Sequence, residues 1–469
     1  MKRRDAVRLV PLSLAGIAGF SWFVMGEEKM PRKRFAGHGE PLAMQYSRKV
    51  RERLTWIREN QSEGLMEAAH AIARTVESGG QCYQESWDAG HTEADSWPGR
   101  NGEPEIFLTS FDVKKAKKGD LLLTTGQTTN IEEIKNKGIF VVGCPSPWSG
   151  DARFPELLRD EIRKQTLRPY ADIWIENQAT TLGGVVNVPG MPAPIGPVSG
   201  ITGKTTIWMM LADACRILAQ KKISRPVKGD EPKLTGDKVD YQSFAGWVKL
   251  SEPLMDDYFS EVMKQLELVF AELGTIRKIA AVAVDTVLSG GRIYGYSLHS
   301  SVAGEASTRR SGLAITQGIY GSSLDTDEKR KNFEGTSKDC VIMGITKPDD
   351  ETDLMFLDLF RKRSMKVASI GPMTRSIRVP DGRTVPKEAD FHAGRMCDTY
   401  GLFAVPGFDQ RICPTSGVVL DHLFWTTMME VVEQYIDRTG GDVPGVYYSA
   451  ALKGGMEHMY RMMNVYRER

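Results

Sequence analysis

The chain repeats its own punctuation once, and that repeat constrains its fold more than any other feature. Apolar residues at i, i+3, i+4 spacing (Leu65, Ala69, Ile72, Val76) predict an amphipathic helix over 42–78, closed by Gly79-Gly80. The same pattern predicts a second helix over 254–289, broken near Gly274 and closed by Gly290-Gly291. Each double glycine leads into a short strand, at Gln81-Cys82-Tyr83 and at Arg292-Ile293-Tyr294. Further on, Pro197-Val198-Ser199-Gly200-Ile201 returns as Pro414-Thr415-Ser416-Gly417-Val418, each ahead of an apolar helix over 207–219 and 420–435. The offset is 212 at Tyr46/Tyr258, 211 at the double glycines and 217 at Ser199/Ser416. One long period of this kind argues for a duplicated domain and against a solenoid.

Within each copy, strands and helices alternate. Strands over 120–124 and 139–143 flank a helix over 131–137; strands over 340–345 and 366–370 flank a helix over 353–362. Alternation predicts an α/β fold: two three-layer α/β/α domains in tandem, with mainly parallel sheets. The expected segments are a leader over 1–34, a first domain over 42–220, a linker over 221–244, a second domain over 245–437, and a turn and helix over 438–469.

Charge and cysteine use narrow the function. Lys and Arg number 61 against 60 Asp and Glu, for a net charge of +1, which argues against a nucleic-acid partner. Six cysteines at 82, 144, 215, 340, 397 and 413 form no C-x-x-C pair, so buried thiols are expected rather than zinc or redox chemistry. The seven histidines show no H-x-x-x-H spacing. No metal and no cofactor is expected. Residues 1–34 carry eight Lys/Arg and three acids. Arg3-Arg4 precede a mildly apolar stretch of about fifteen residues, short for a membrane span, which resembles a twin-arginine export signal. Export to the periplasm or anchoring at a membrane is the expected localisation; a basic amphipathic helix on a cytoplasmic protein is the alternative.

The repeated pieces together resemble the sugar isomerase (SIS) domain family, here in tandem over about 42–220 and 252–437. The second copy shows Gly290-Gly291-Arg292-Ile293-Tyr294, then His299-Ser300, Glu305, Arg310 and Gly312. The first ends with Ala171-Asp172-Ile173-Trp174-Ile175-Glu176-Asn177 and Ile195-Gly196-Pro197-Val198-Ser199-Gly200-Ile201-Thr202-Gly203. The resemblance implies paired α/β/α domains that bind phosphorylated sugars. It points to aldose–ketose isomerisation or a related proton transfer; a non-catalytic protein that binds or senses a carbohydrate derivative is the alternative. The expected partner is a sugar or sugar phosphate, with the two copies pairing inside the chain as a pseudo-dimer. Membrane attachment through the leader and a homo-oligomer remain open.

Candidate site residues follow. Asp120 to Asn130 reads as a buried strand, a polar turn and a helix start. A helix N-terminus offers free backbone N–H groups to an anion. Thr124, Thr125, Thr128 and Thr129 add hydroxyl donors there, beside Gly126 and Gln127, and Thr125-Gly126-Gln127-Thr128 fits the family's phosphate loop. The plainer reading is a helix cap by Thr129 or Asn130. In the second copy the corresponding turn carries Asp349-Asp350-Glu351, which would repel phosphate. Enediol chemistry needs a base and a proton carrier, and His299 and Glu305 are candidates, with Glu93 in the first copy. The plainer reading has His299 capping a helix and Glu305 paired with Arg309 or Arg310. Ser199 and Ser416 read as ligand-cleft residues or as helix N-caps. Lys204 reads as a solvated helix residue or a contact to an anionic ligand. The run Gly200-Ile201-Thr202-Gly203-Lys204-Thr205 is two residues short of a Walker loop.

Overall fold

A computed structural model describes residues 39–85, 102–108, 111–124, 130–144, 155–163, 167–180, 182–229, 234, 247–307, 309–373, 381–394 and 401–467. The leader, Glu93, the turn Thr125–Thr129 and much of the expected linker lie outside them.

The first half opens with helices α1 (Leu42–Asn60) and α2 (Ser62–Glu77). Strands β1 (Cys82–Glu85), β2 (Phe107–Leu108) and β3 (Leu121–Thr124) come next, then α3 (Ile131–Asn136), β4 (Phe140–Gly143) and β5 (Ile173–Trp174). Helix α4 (Ser199–Gln220) ends the half. The second half repeats the plan with α5 (Leu254–Leu268), α6 (Leu273–Leu288), β6 (Ile293–Ser297), α7 (Val302–Ala306), β7 (Thr316–Tyr320), β8 (Cys340–Gly344), α8 (Glu351–Lys362), β9 (Lys366–Ile370), β10 (Phe391–Ala393) and α9 (Ser416–Thr439). A last helix, α10 (Gly455–Arg467), follows.

Every pairing within the two five-stranded sheets is parallel. The sheets have the same order, β2-β1-β3-β4-β5 and β7-β6-β8-β9-β10. Alternate strand residues feed opposite faces, as the pleat requires. Leu121 and Leu123 enter a core shared with the second half, while Leu122 packs outward with Ile134 of α3. In β8, Cys340 and Ile342 face the shared core and Val341 and Met343 face Phe356 and Phe360 of α8. Both faces of each sheet are therefore covered by helices, the usual state of parallel strands.

The repeated double glycine has a two-part cause. Gly79 and Gly290 take left-handed φ values of +75° and +87°. Gly80 N–H and Gly291 N–H reach back to the carbonyls of Thr75 and Thr286, a Schellman closure in both halves. A Cβ on Gly80 would lie 2.5 Å from the Gly119 oxygen, and one on Gly291 would lie 2.0 Å from the Lys338 oxygen. The next residue then seats Asp120, or Asp339, on the backbone N–H of Gln81, or Arg292.

Four element boundaries differ from the sequence expectation. The first long helix breaks at Gln61, which leaves the helical region between α1 and α2. The second breaks over Val269–Glu272, just ahead of Gly274. Helices α4 and α9 start at Ser199 and Ser416, one to two turns earlier than periodicity suggests. Their buried early hydroxyls are satisfied within the helix by donating to carbonyls one turn before, as with Thr202 to Val198 O and Thr206 to Thr202 O.

Helices α4 and α9 are central and almost wholly buried. Helix α4 packs on α5 of the second half, and α9 packs on α1 of the first. Val227–Lys228, inside the expected linker, pairs antiparallel with Glu103–Pro104.

Candidate functional site at the helix interface and sheet switch points

In each sheet the chain order reverses between the first and third strands, at β1/β3 and at β6/β8. Open α/β sheets bind ligands outside the carboxyl ends of strands at such points. Thr124 closes β3 there, fully buried and in register with Glu85 of β1. Thr125, Gly126, Gln127, Thr128 and Thr129 follow this residue in the chain and lie outside the described residues. Asn130 has φ +75° and makes no side-chain cap on α3, so it does not act as the expected cap.

The second switch point is fully described and is stitched together by its own side chains. Ser297 Oγ donates to Ser300 O and accepts from Ala303 N–H. Ser300 Oγ donates to Gly344 O at the end of β8. Asp350 caps α8 by accepting from the N–H groups of Thr352 and Asp353. The helix end that could face an anion is filled by this carboxylate. Burial, with Asp350 nearby, pushes the Asp353 carboxyl up to about 8, and Tyr296 OH donates to it at 2.9 Å.

His299 does not cap α7, whose N-cap is Ser301. Its Nε2 lies 4.0 Å from Asp350, with the side chain 21% exposed. Glu305 turns the other way, into the interface between halves. It is 2% exposed, lies 3.1 Å from Arg309 Nε, and accepts from Trp425 Nε1 at 2.6 Å. Arg309 also donates to Ser199 Oγ at 3.1 Å, so Ser199 of the first half joins the Glu305 group. Neither serine is an N-cap: Ser199 and Ser416 are the first helical residues, after Val198 and Thr415. Ser416 is buried beside Thr415, which donates to Gln265 of α5.

Lys204 is the largest departure from expectation. It is neither solvated nor exposed: its ammonium is fully buried and donates at 2.6 Å to both Asp421 Oδ2 of α9 and Ser301 Oγ. Ser301 Oγ also donates to Asp421 Oδ1. A Cβ on Gly200 would lie 3.0 Å from Asp421 Oδ2 and 3.1 Å from Glu305 Oε1. The two ionic groups thus meet at one glycine on the first turn of α4. Tyr46 lies alongside, its OH donating to Pro197 O at 2.9 Å. Burial first, then the Glu305 and Asp421 charges, hold its phenol well above the usual range.

The structure therefore brings Ser199, Glu305 and Arg309 together with Lys204, Asp421 and Ser301, and places His299 with Asp350 instead. Asp421 and Trp425 escaped the sequence reading. The available signal was a lysine and an aspartate at corresponding places in two apolar helices. Among the described residues no cluster of three His, Cys, Asp or Glu could hold a metal, and no helix is long and apolar enough to cross a membrane.

No protein-family model and no curated protein matches this sequence. Solved structures similar to it include the C-terminal domain of glucosamine-fructose-6-phosphate aminotransferase from Francisella tularensis, at 11% identity and TM-score 0.45, covering 88% of this chain and 99% of that one. Another is tagatose-6-phosphate ketose/aldose isomerase from Escherichia coli, at 10% identity and TM-score 0.37, covering 87% and 95%. A candidate sugar-binding protein from Salmonella typhimurium LT2 has 12% identity and TM-score 0.42, covering 82% and 99%.

Proposed function

We propose that the chain is a tandem SIS-type protein that binds a sugar or sugar phosphate at the first switch point. The observation that carries the reading is topological. The chain order reverses between β1 and β3, and Thr125-Gly126-Gln127-Thr128 is the next sequence after Thr124, the last residue of β3. The second half lacks an equivalent, since Asp350 occupies its helix end. Binding is favoured over isomerisation through Glu305, because that carboxylate is buried between Arg309 and Trp425. The His299–Asp350 pair, partly exposed, is what favours proton transfer as a second reading. Export or anchoring through the Arg3-Arg4 leader belongs to the same proposal, and would direct the protein toward ligands outside the cytoplasm.

Thermal-shift titration with free hexoses, hexose 6-phosphates and inorganic phosphate tests binding, because a ligand that favours the native state raises Tm. Gly126→Asp should abolish any shift, since it puts a side chain and a charge where backbone must approach the ligand. A normal shift in this variant would remove the turn from the site. Deuterium exchange into the bound sugar separates the readings. Exchange that persists in Glu305→Gln and disappears in His299→Gln would support the second.

A further inference from the structure

Lys204 and Asp421 hold the same place in the two halves. Each is the sixth residue of its central helix, counted from Ser199 and from Ser416. Their separation of 217 is also that of the repeated Pro-x-Ser-Gly segments. Equivalent residues that touch one another lie on the axis relating two copies. The reciprocal packing of α4 on α5 and of α9 on α1 is the arrangement such an axis produces. Were the halves identical, this position would bring a group against its own copy.

We propose that Lys204 and Asp421 determine which half pairs with which, making each half complementary to the other kind and repellent to its own. Two first halves would bury ammonium against ammonium, and two second halves carboxylate against carboxylate. Both arrangements leave like charges out of water within hydrogen-bond range, the costliest state for an ion. The observed pair is balanced: Asp421 accepts from Lys204 and from Ser301, and Lys204 donates to both. Stability alone gives little reason for the pair, because apolar residues of similar volume commonly do as well in a buried site. Discrimination between partners does give one, since it needs an arrangement that penalises the wrong pairing. The partner this surface fits is thus the opposite half, supplied by the same chain.

The test uses full-length chains. Lys204→Asp faces Asp421 with a second carboxylate, and Asp421→Lys faces Lys204 with a second ammonium. Alone, neither variant should yield a monomer that melts like the wild type. Produced together with different tags, they should cross-pair. The first half of the Asp421→Lys chain meets the second half of the Lys204→Asp chain through an unaltered Lys204–Asp421 contact. The other two halves meet through an exchanged one. The expected product is a one-to-one heterodimer of twice the chain mass, with the second tag enriched at least tenfold over co-produced wild-type chains. A wild-type-like monomer from either variant alone, or failure of the tags to copurify above that control, overturns the proposal.

Discussion

His422 lies in the middle of α9, fully buried, with its ring stacked on Tyr46 at 5.8 Å between centroids. Neither ring nitrogen meets a hydrogen-bond partner among the described residues. Burial, helped by the Arg51 charge, lowers its pKa from 6.5 to about 3. The unfolded chain takes up this proton near pH 6.5, whereas the native state resists it until about pH 3. The contribution of His422 to stability is therefore complete above pH 6.5 and falls as pH drops toward 3, by on the order of 5 kcal/mol. Asp353 acts with the opposite sign. Its folded pKa of about 8 exceeds the ordinary 3.8, so its contribution is complete below pH 3.8 and is lost as pH rises toward 8. The two trends overlap in a single stability curve. Wild-type stability minus that of His422→Leu in urea unfolding isolates the histidine, and should fall steadily from pH 6.5 to pH 4. A flat difference would show that the ring is protonated in the native state.

Helices α1 and α5 both begin after a proline, Pro41 and Pro253, which cannot cap them with a side chain. Each cap comes from the other half. Asp213 of α4 accepts from the N–H groups of Leu254 and Met255, and Glu433 of α9 accepts from Leu42 N–H at 2.9 Å. Asp213 also holds Arg216 Nε at 2.5 Å in a buried pair. Asp213→Ala removes the cap and strands a buried guanidinium, and should cost about 3–5 kcal/mol in urea unfolding. Asp213→Asn keeps an acceptor and should cost roughly 1–2 kcal/mol. Equal losses would mean that the charge, which both variants remove, accounts for the whole effect and the cap acceptor for none of it. These elements also show what the sequence could convey. Amphipathic period, the double glycines and strand alternation located α1, α2, α6 and the three inner strands of each sheet, because each depends on neighbours a turn or a strand away. The first turns of α4 were illegible. Ser-Gly-Ile-Thr-Gly-Lys-Thr-Thr has poor helical period, and its lysine is neutralised by a residue 217 positions away. Asp120/Asp339 and Asp172/Asp390, which fasten corresponding backbone N–H groups in the two halves, were available markers of the repeat that went unread.

For the molecule as a whole, one apolar core runs through both halves, from Leu42 and Leu65 through Trp208 to Phe424 and Val432. Opening either half exposes the core of the other, so the chain should unfold in a single transition, with calorimetric and van't Hoff enthalpies equal. Two resolved transitions would show halves that stand alone. Local patterns could reveal two sheets but not this sharing, because α4 and α9 are buried all round and carry no outward polar stripe to orient them. The candidate site was legible to a similar depth. Ser199 and Glu305 were named from the chain, while their meeting through Arg309 depends on how the halves close. The cross-caps bear on order in time. Leu42 N–H waits for Glu433, 391 residues downstream. At ordinary rates of synthesis that acceptor leaves the ribosome roughly 20–80 s after the donor. Helix α1 therefore spends most of the interval between the two syntheses with its leading amide bonded to water. Closure of the molecule waits for α9, and a ribosome stalled before that helix would hold a nascent chain with an open flank, readily cut by protease.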